Sequence, residues 1–170
     1  MCPNQAYREA KRLYLSAFPK WERFPLWQLN LMALHKNVHF QALYDDGKFC
    51  GMAYYAVGSQ TVYLLYLAVN PDLRGQGYGT QILQHLQVKF PDKQLTLDIE
   101  PVTKIAKNYS QRVRRLHFYE RNGFHQTSAR LMDADGEFQI LTTGKRLNTT
   151  SVVATLKQMS SGFYHFKVEY

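Results

Sequence analysis

The sequence predicts an α/β chain built on one mixed sheet, with elements in the order ααβββαβαββ and a C-terminal extension. Three observations predict it. Val62–Val69 is almost unbroken apolar and β-prone, as expected of a strand covered on both faces. A glycine-rich turn follows, and then Ile82, Leu83, Leu86 and Phe90 recur at helical spacing. Gln94–Glu100 is the next extended run, so strand, helix and strand make a βαβ unit whose strands are parallel.

The other elements follow in order. Ala6, Ala10, Leu13, Tyr14 and Ala17 form one helical stripe. Pro19 and Pro25 bound a linker containing Lys20-Trp21-Glu22-Arg23, and a second helix runs over Leu26–His35. Val38, Phe40, Ala42 and Tyr44 alternate as in a strand, and Asp45-Asp46-Gly47-Lys48 turns it into a return strand, Phe49–Val57. Gly58-Ser59 then leads into the central strand. Beyond the βαβ unit, Val113, Leu116, His117 and Glu120 trace one side of a helix that Asn122-Gly123 stops. Two strands, Phe124–Leu131 and Glu137–Thr143, are joined by Asp133-Ala134-Asp135-Gly136. The extension holds a short helix at Ser151–Met159 and a β-like run at Phe163–Val168. No internal repeat is visible.

Composition narrows the class. At 170 residues the chain reads as one domain large enough for a real core, and 45% hydrophobic content argues against disorder. It has no apolar run of membrane-spanning length, and MCPNQAYREAK is not a signal peptide, so a cytoplasmic chain and no membrane partner are expected. Cys2 and Cys50 form no C-x-x-C pair and read as reduced thiols. Without a secretory signal the two N-x-S/T sequons, at Asn108 and Asn148, carry no weight. His35 and His39 have no further ligand at metal spacing, so no metal is expected. Net charge is +8, partly gathered in Lys104–Arg121. Basic residues and aromatics do not interleave as in a single-strand groove, and no helix-turn-helix stands out, so nucleic acid is not the expected partner.

The turn after the central strand reads Arg74-Gly75-Gln76-Gly77-Tyr78-Gly79. A glycine-rich turn feeding a helix presents free backbone N–H groups at the positive end of the helix dipole, a ready site for phosphate. The P-loop pattern fails because no Lys-Ser/Thr pair follows the last glycine. The dinucleotide fingerprint is one residue out of register at Gly79, although Asp98 and Glu100 stand where a ribose-binding acid would. The third pattern, R-x-x-G-x-G at Arg74, Gly77 and Gly79, resembles the acyl-CoA motif of the GCN5-related N-acetyltransferase (GNAT) superfamily. The segment RRLHFYERNGF, residues 114–124, resembles the fourth helix of the same enzymes, at the expected distance.

The resemblance implies a single-domain acyl-CoA N-acyltransferase fold, with a core at 1–146 and an extension at 147–170 that packs on the core or on a partner subunit. Family members mostly begin with a strand; here only Met1–Gln5 precede the first helix. The tail could supply that edge, cover the acceptor site or pair two copies into a homodimer. The implied activity is transfer of the acetyl group of acetyl-CoA to a primary amine of a small molecule or peptide. The alternative is a non-catalytic acyl-CoA-binding or sensory domain of the same fold. By resemblance, acetyl-CoA is held by Leu67, Ala68 and Val69, by Arg74, Gly75, Gln76, Gly77, Tyr78 and Gly79, and by Arg112, which stands where the family commonly has Asn. Tyr119 takes the position of the general acid toward the CoA thiolate, a role a phenol can fill at neutral pH. Thr96, Asp98 and Glu100 share one face of their strand, whose C-terminal end borders the cleft, making Glu100 the first candidate base and Glu22 of the linker the second. Trp21 and Phe24 flank Glu22 as acceptor-pocket residues. The net positive charge argues against a polycationic acceptor.

Overall fold

A computed structural model describes residues 3–160, 162 and 164–170. The described elements are α1 (Pro3–Ala17), α2 (Leu26–Met32), β1 (Val38–Asp45), β2 (Lys48–Val57), β3 (Thr61–Val69), α3 (Tyr78–Lys89), β4 (Gln94–Ile99), α4 (Tyr109–Arg121), β5 (His125–Asp133), β6 (Gly136–Thr142), α5 (Thr149–Ser160) and β7 (Lys167–Glu169). The predicted order ααβββαβαββ stands, followed by α5 and β7. Single 3-10 turns occur at Lys20–Glu22 and Pro71–Leu73. The second helix ends earlier than its apolar pattern suggests. Leu34 and His35 bond back only three residues, to Leu31 and Met32, so the last turn tightens out of α geometry. Cys2 and Phe163 lie outside the described residues; Cys50 is a buried free thiol.

The β1–β2 hairpin turns through Asp46 and Gly47, both at positive φ (44° and 80°), the pairing that matches the right-handed twist of the strands. β2 and β3 are antiparallel, β3 and β4 parallel, and the seven described strands run β1-β2-β3-β4-β6-β5-β7. One face of the sheet packs against α1, α2 and α5 through Leu13, Tyr14, Leu29, Met32, Val152 and Leu156. The other packs against α3 and α4 through Ile82, Leu83, Leu86 and Leu116. Burying an aliphatic side chain contributes about 1.5–3 kcal/mol each, so both layers are held chiefly by apolar burial. β7 pairs with β5, at the end of the sheet away from β1. The tail therefore does not supply an edge beside β1.

Two irregularities in the centre of the sheet create the site. β3 and β4 pair only from Thr61↔Gln94 to Tyr63↔Thr96, then diverge. A buried hydroxyl ladder pins the closed end: Thr61 Oγ1 lies 2.9 Å from Thr96 Oγ1, and Thr96 Oγ1 lies 3.4 Å from Thr142 Oγ1. The second irregularity is a bulge. Tyr54 faces Tyr66 and Tyr55 faces Leu64, so Leu65 is an extra residue in β3. Strict alternation would place Tyr66 with Val62 and Leu64 against α3 and α4; the bulge turns it to the opposite face, beside Tyr14 and Tyr54.

Candidate active site

Where β3 and β4 part, a cavity of about 710 Å³ crosses the sheet. Leu64–Val69 line one wall and Leu97–Glu100 the other; α4, the linker before α2, the β5–β6 hairpin and Tyr164 complete it. Beyond Tyr63, the edge of β3 that faces β4 has no strand partner among the described residues. Its backbone N–H and C=O groups are therefore open to the cavity, and an unpaired strand edge is a template for another extended chain.

The glycine turn approaches this edge. Leu67, Ala68, Val69 and Arg74 line the cavity. Gly75, Gln76, Gly77, Tyr78 and Gly79 are not in its lining; they form the turn from Arg74 into α3. Gly75 and Gly77 both take left-handed conformations, at φ 77° and 85°. Gly77 caps α3 without a side-chain acceptor, so the first amides of that helix keep their donors for a ligand. Gly79 has a different task. A Cβ there would stand 3.0 Å from the Phe118 ring, so the missing side chain lets α3 and α4 approach each other.

Six carboxylates line the cavity, and three of them, Glu100, Glu22 and Asp98, come from its β4 wall and the linker. Glu100 accepts hydrogen bonds from Arg112 (2.5 Å) and Asn108 (3.2 Å), and Arg115 lies 3.7 Å away. Arg112 makes two further hydrogen bonds inside the protein, to Asn108 Oδ1 and the Pro101 carbonyl, each at 2.8 Å. Arg112, which the resemblance places at the cofactor, thus also pairs with Glu100 while lining the cavity. Glu22 has no hydrogen-bond partner for its carboxylate among the described residues, and burial raises its pKa, Arg115 opposing and Glu100 adding to the shift. Asp98 accepts a hydrogen bond from the Tyr63 hydroxyl, and burial raises its pKa to about 6 against that bond, with Asp133 adding. The tyrosines 63, 66, 119 and 164 all feel the Asp98 charge.

Tyr119 sits in the cavity wall on α4, its ring against Phe118 and Phe124. Among the described residues its hydroxyl makes no hydrogen bond, and no fully buried side-chain oxygen lacks a partner, so this oxygen opens onto the cavity. Burial pushes its pKa up to about 12, with Arg115 opposing.

The linker is held in place by two tyrosines. The Tyr66 hydroxyl donates to the Glu22 carbonyl (2.8 Å) and accepts from the Phe24 amide (3.1 Å), while Tyr14 donates to the Phe24 carbonyl (2.9 Å). Glu22, Trp21 and Phe24 are thereby brought to the same cavity as Glu100 and Tyr119. Sequence alone does not select Asp98 for catalysis, nor Tyr66 or Tyr164 for the site. Asp98 was legible, since it shares a strand face with Glu100. Tyr66 was concealed by the bulge, and Tyr164 has no local signal. Among the described residues no group of three or more side chains could hold a metal ion, and no helix is long and apolar enough to cross a membrane.

The family model for an acetyltransferase (GNAT) domain matches residues 36–126, more than half of the chain. No curated protein matches the chain by sequence. Among solved structures, the chain is similar to a GNAT-family protein from Bacteroides thetaiotaomicron at TM-score 0.74 and 23% identity, covering 93% of this chain and 91% of that one. It is similar to the ribosomal-protein-S18-alanine N-acetyltransferase of Escherichia coli at TM-score 0.58 and 22% identity, covering 82% and 88%. It is also similar to Arabidopsis thaliana Naa50 in complex with the bisubstrate analogue CoA-Ac-MVNAL, at TM-score 0.60 and 15% identity, covering 85% and 95%. These likenesses are of fold. With the family model spanning β1 to the start of β5, and with it the glycine turn and Tyr119, the chain belongs to the GNAT acetyltransferase family.

Proposed function

We propose that the protein transfers the acetyl group of acetyl-CoA to a primary amine by direct attack. The observation that carries this reading is the parting of β3 and β4, which sets an open strand edge and Tyr119 around one cavity with Asp98 and Glu22, while the turn that starts at Arg74 in its lining leads to the uncapped end of α3. The pantetheine arm pairs with the free edge at Leu67, Ala68 and Val69, and the pyrophosphate sits on the amides of Gly75–Gly79, with Arg74 beside it. Arg112 holds Glu100 and the start of α4 at the cavity wall.

An alkylammonium ordinarily gives up its proton only at about pH 10.4, so the site must take that proton before the nitrogen can attack. Asp98 suits this task best. Its carboxyl is ionised at neutral pH yet basic for an aspartate, and one of its oxygens is not used by Tyr63. Glu22 is the second carboxylate in reach of the acceptor, and Glu100 is the least free because Arg112 and Arg115 hold it. The neutral nitrogen attacks the thioester carbon, the C–N bond forms and the C–S bond breaks. The nitrogen loses two protons by way of the carboxylate; one is released to solvent in net and the other balances the proton that the thiolate takes up to leave as the thiol. Tyr119 donates a hydrogen bond to the departing thiolate. A phenol near 12 is a weaker acid than a thiol at about 8.5, so Tyr119 chiefly stabilises the sulfur anion while its proton stays closer to oxygen. Much of the rate gain comes from holding the two reactants together.

The test is acetyl-CoA turnover across amine classes, read as free thiol released. Acetyl-CoA binding with no thiol release on any amine would sink the enzymatic reading and leave a non-catalytic acyl-CoA-binding domain.

A further inference from the structure

The chain carries a net charge of +8, but on the side of the cavity formed by the linker and the β5–β6 hairpin the carboxylates outnumber the cations, Arg23 being the basic residue these two elements place in the lining. Glu22 comes from the linker, Asp98 from β4, and Asp133, Asp135 and Glu137 from the hairpin. Glu137 is paired with Arg130 at 2.8 Å. Asp133 accepts from the Tyr164 hydroxyl at 2.6 Å and from the amides of Asp135 and Gly136. The carboxylates of Glu22 and Asp135 have no hydrogen-bond partner among the described residues. The aromatic side chains of Phe24, Phe138 and Tyr164 stand among these charges. Carboxylates and aromatic faces together favour organic cations.

The same side is closed by the C-terminal extension. β7 lies along β5 through Leu131↔Val168 and its neighbours. The chain before it carries Tyr164, whose ring meets Phe24 edge-on at 5.2 Å and stacks on Phe166 at 5.3 Å. With its hydroxyl on Asp133, this one side chain ties the linker to the hairpin across the cavity. Tyr164 thus stands in the gap that a polypeptide laid over the sheet between those two elements would occupy.

On the acetyl-transfer reading, we propose that the acceptor is a small amine bearing a second positive charge, and that Tyr164 limits its size. The second charge follows from the chemistry. The reacting nitrogen is neutral when it attacks, and the charge it gains as the C–N bond forms is removed by the base, so it ends as an uncharged amide that leaves the hairpin carboxylates without a lasting partner. A second ammonium, which stays charged throughout, provides one. The positive net charge of the chain does not oppose this, because the charge that matters is the local one.

Initial rates of thiol release by the full chain distinguish the outcomes. A terminal diaminobutane is expected to exceed n-butylamine in kcat/KM by about tenfold or more, the effect of one charge-assisted hydrogen bond. The advantage should shrink with added salt, and Asp135→Asn should bring the ratio toward one. The wild-type chain should discriminate against a pentapeptide N-terminus. Tyr164→Ala should admit the peptide, whereas Tyr164→Phe, which keeps the ring, should not; acetyl-CoA affinity checks that each variant is folded. Equal kcat/KM for the diamine and n-butylamine, or preference of the wild-type chain for the peptide, overturns the proposal even if acetyl transfer occurs. Thiol release on no amine at all removes the acetyl-transfer reading itself.

Discussion

Asp98 holds its proton up to about pH 6 because it is buried, the Tyr63 hydrogen bond opposing and nearby Asp133 adding to the shift. If it accepts the amine proton, it must be ionised, so kcat/KM should carry an acidic limb near pH 6 that rises with pH. Asp98→Asn should remove that limb and lower turnover by about a hundredfold, within the usual range for a lost base. The same group links stability to pH. An unfolded aspartate titrates at about 3.9, so between about pH 4 and 6 the folded chain binds more protons than the unfolded one. This contribution therefore falls as pH rises through that window, and denaturation midpoints of Asp98→Asn should lack the slope. Tyr119→Phe separates packing from chemistry, because the ring contacts with Phe118 and Phe124 remain. Near-normal stability and acetyl-CoA affinity, with turnover down by about tenfold, are expected under conditions where chemistry limits. Wild-type turnover would leave Tyr119 as a packing residue.

The glycines of the site act on whole elements. Gly77 lies in open space but at φ 85°, so Gly77→Val strains the entry to α3 rather than colliding with a neighbour. It should weaken acetyl-CoA binding sharply, measured calorimetrically, while the fold survives; unchanged affinity in a folded variant removes the basis for the cofactor assignment. Gly51 tests the opposite situation. A Cβ there would stand 2.5 Å from the Ala68 carbonyl oxygen and 3.1 Å from the Ile82 side chain. Since a backbone atom cannot swing aside, Gly51→Ala should destabilise the fold by an amount typical of overpacking, about 1–3 kcal/mol, read as a lowered thermal midpoint. Retained stability would show that β2 and β3 can separate there without cost. Both sites were visible as glycines, but only the packing tells which one answers to a conformation and which to a neighbour.

At the scale of the whole molecule, the cavity is assembled from pieces distant in sequence. β3 and β4 form its walls, the linker at residues 19–25 and the hairpin at 133–136 form its sides, and Tyr164 spans them. The extension shares the main core through Val152, Leu156 and Met159, all fully buried with α1 and α2 against the sheet. Removing residues 147–170 should therefore cost stability as well as acceptor selectivity, which chemical denaturation of the truncated chain would read as a lowered midpoint. A truncated chain as stable as the full one would mean that α5 is dispensable to the core.

The amino-acid pattern by itself determined the element order, the central strand, the glycine turn and the helix carrying Tyr119. Each rests on local periodicity or on turn chemistry within a few residues. It also placed Glu22, Glu100 and Tyr119 as candidates, and the fold brings all three to one cavity. It could not decide which carboxylate is free. Arg112 reaches Glu100 only because α4 packs beside the end of β4, twelve positions away in the chain. Nor could alternation foresee the bulge at Leu65, which turns Tyr66 toward the linker and reverses what its spacing implies. Net charge, a sum over the sequence, concealed the acidic side of the cavity, because a field depends on where charges stand in space. Non-local pairing of β7 with β5, and the placement of Tyr164 that goes with it, belong to the tertiary structure alone.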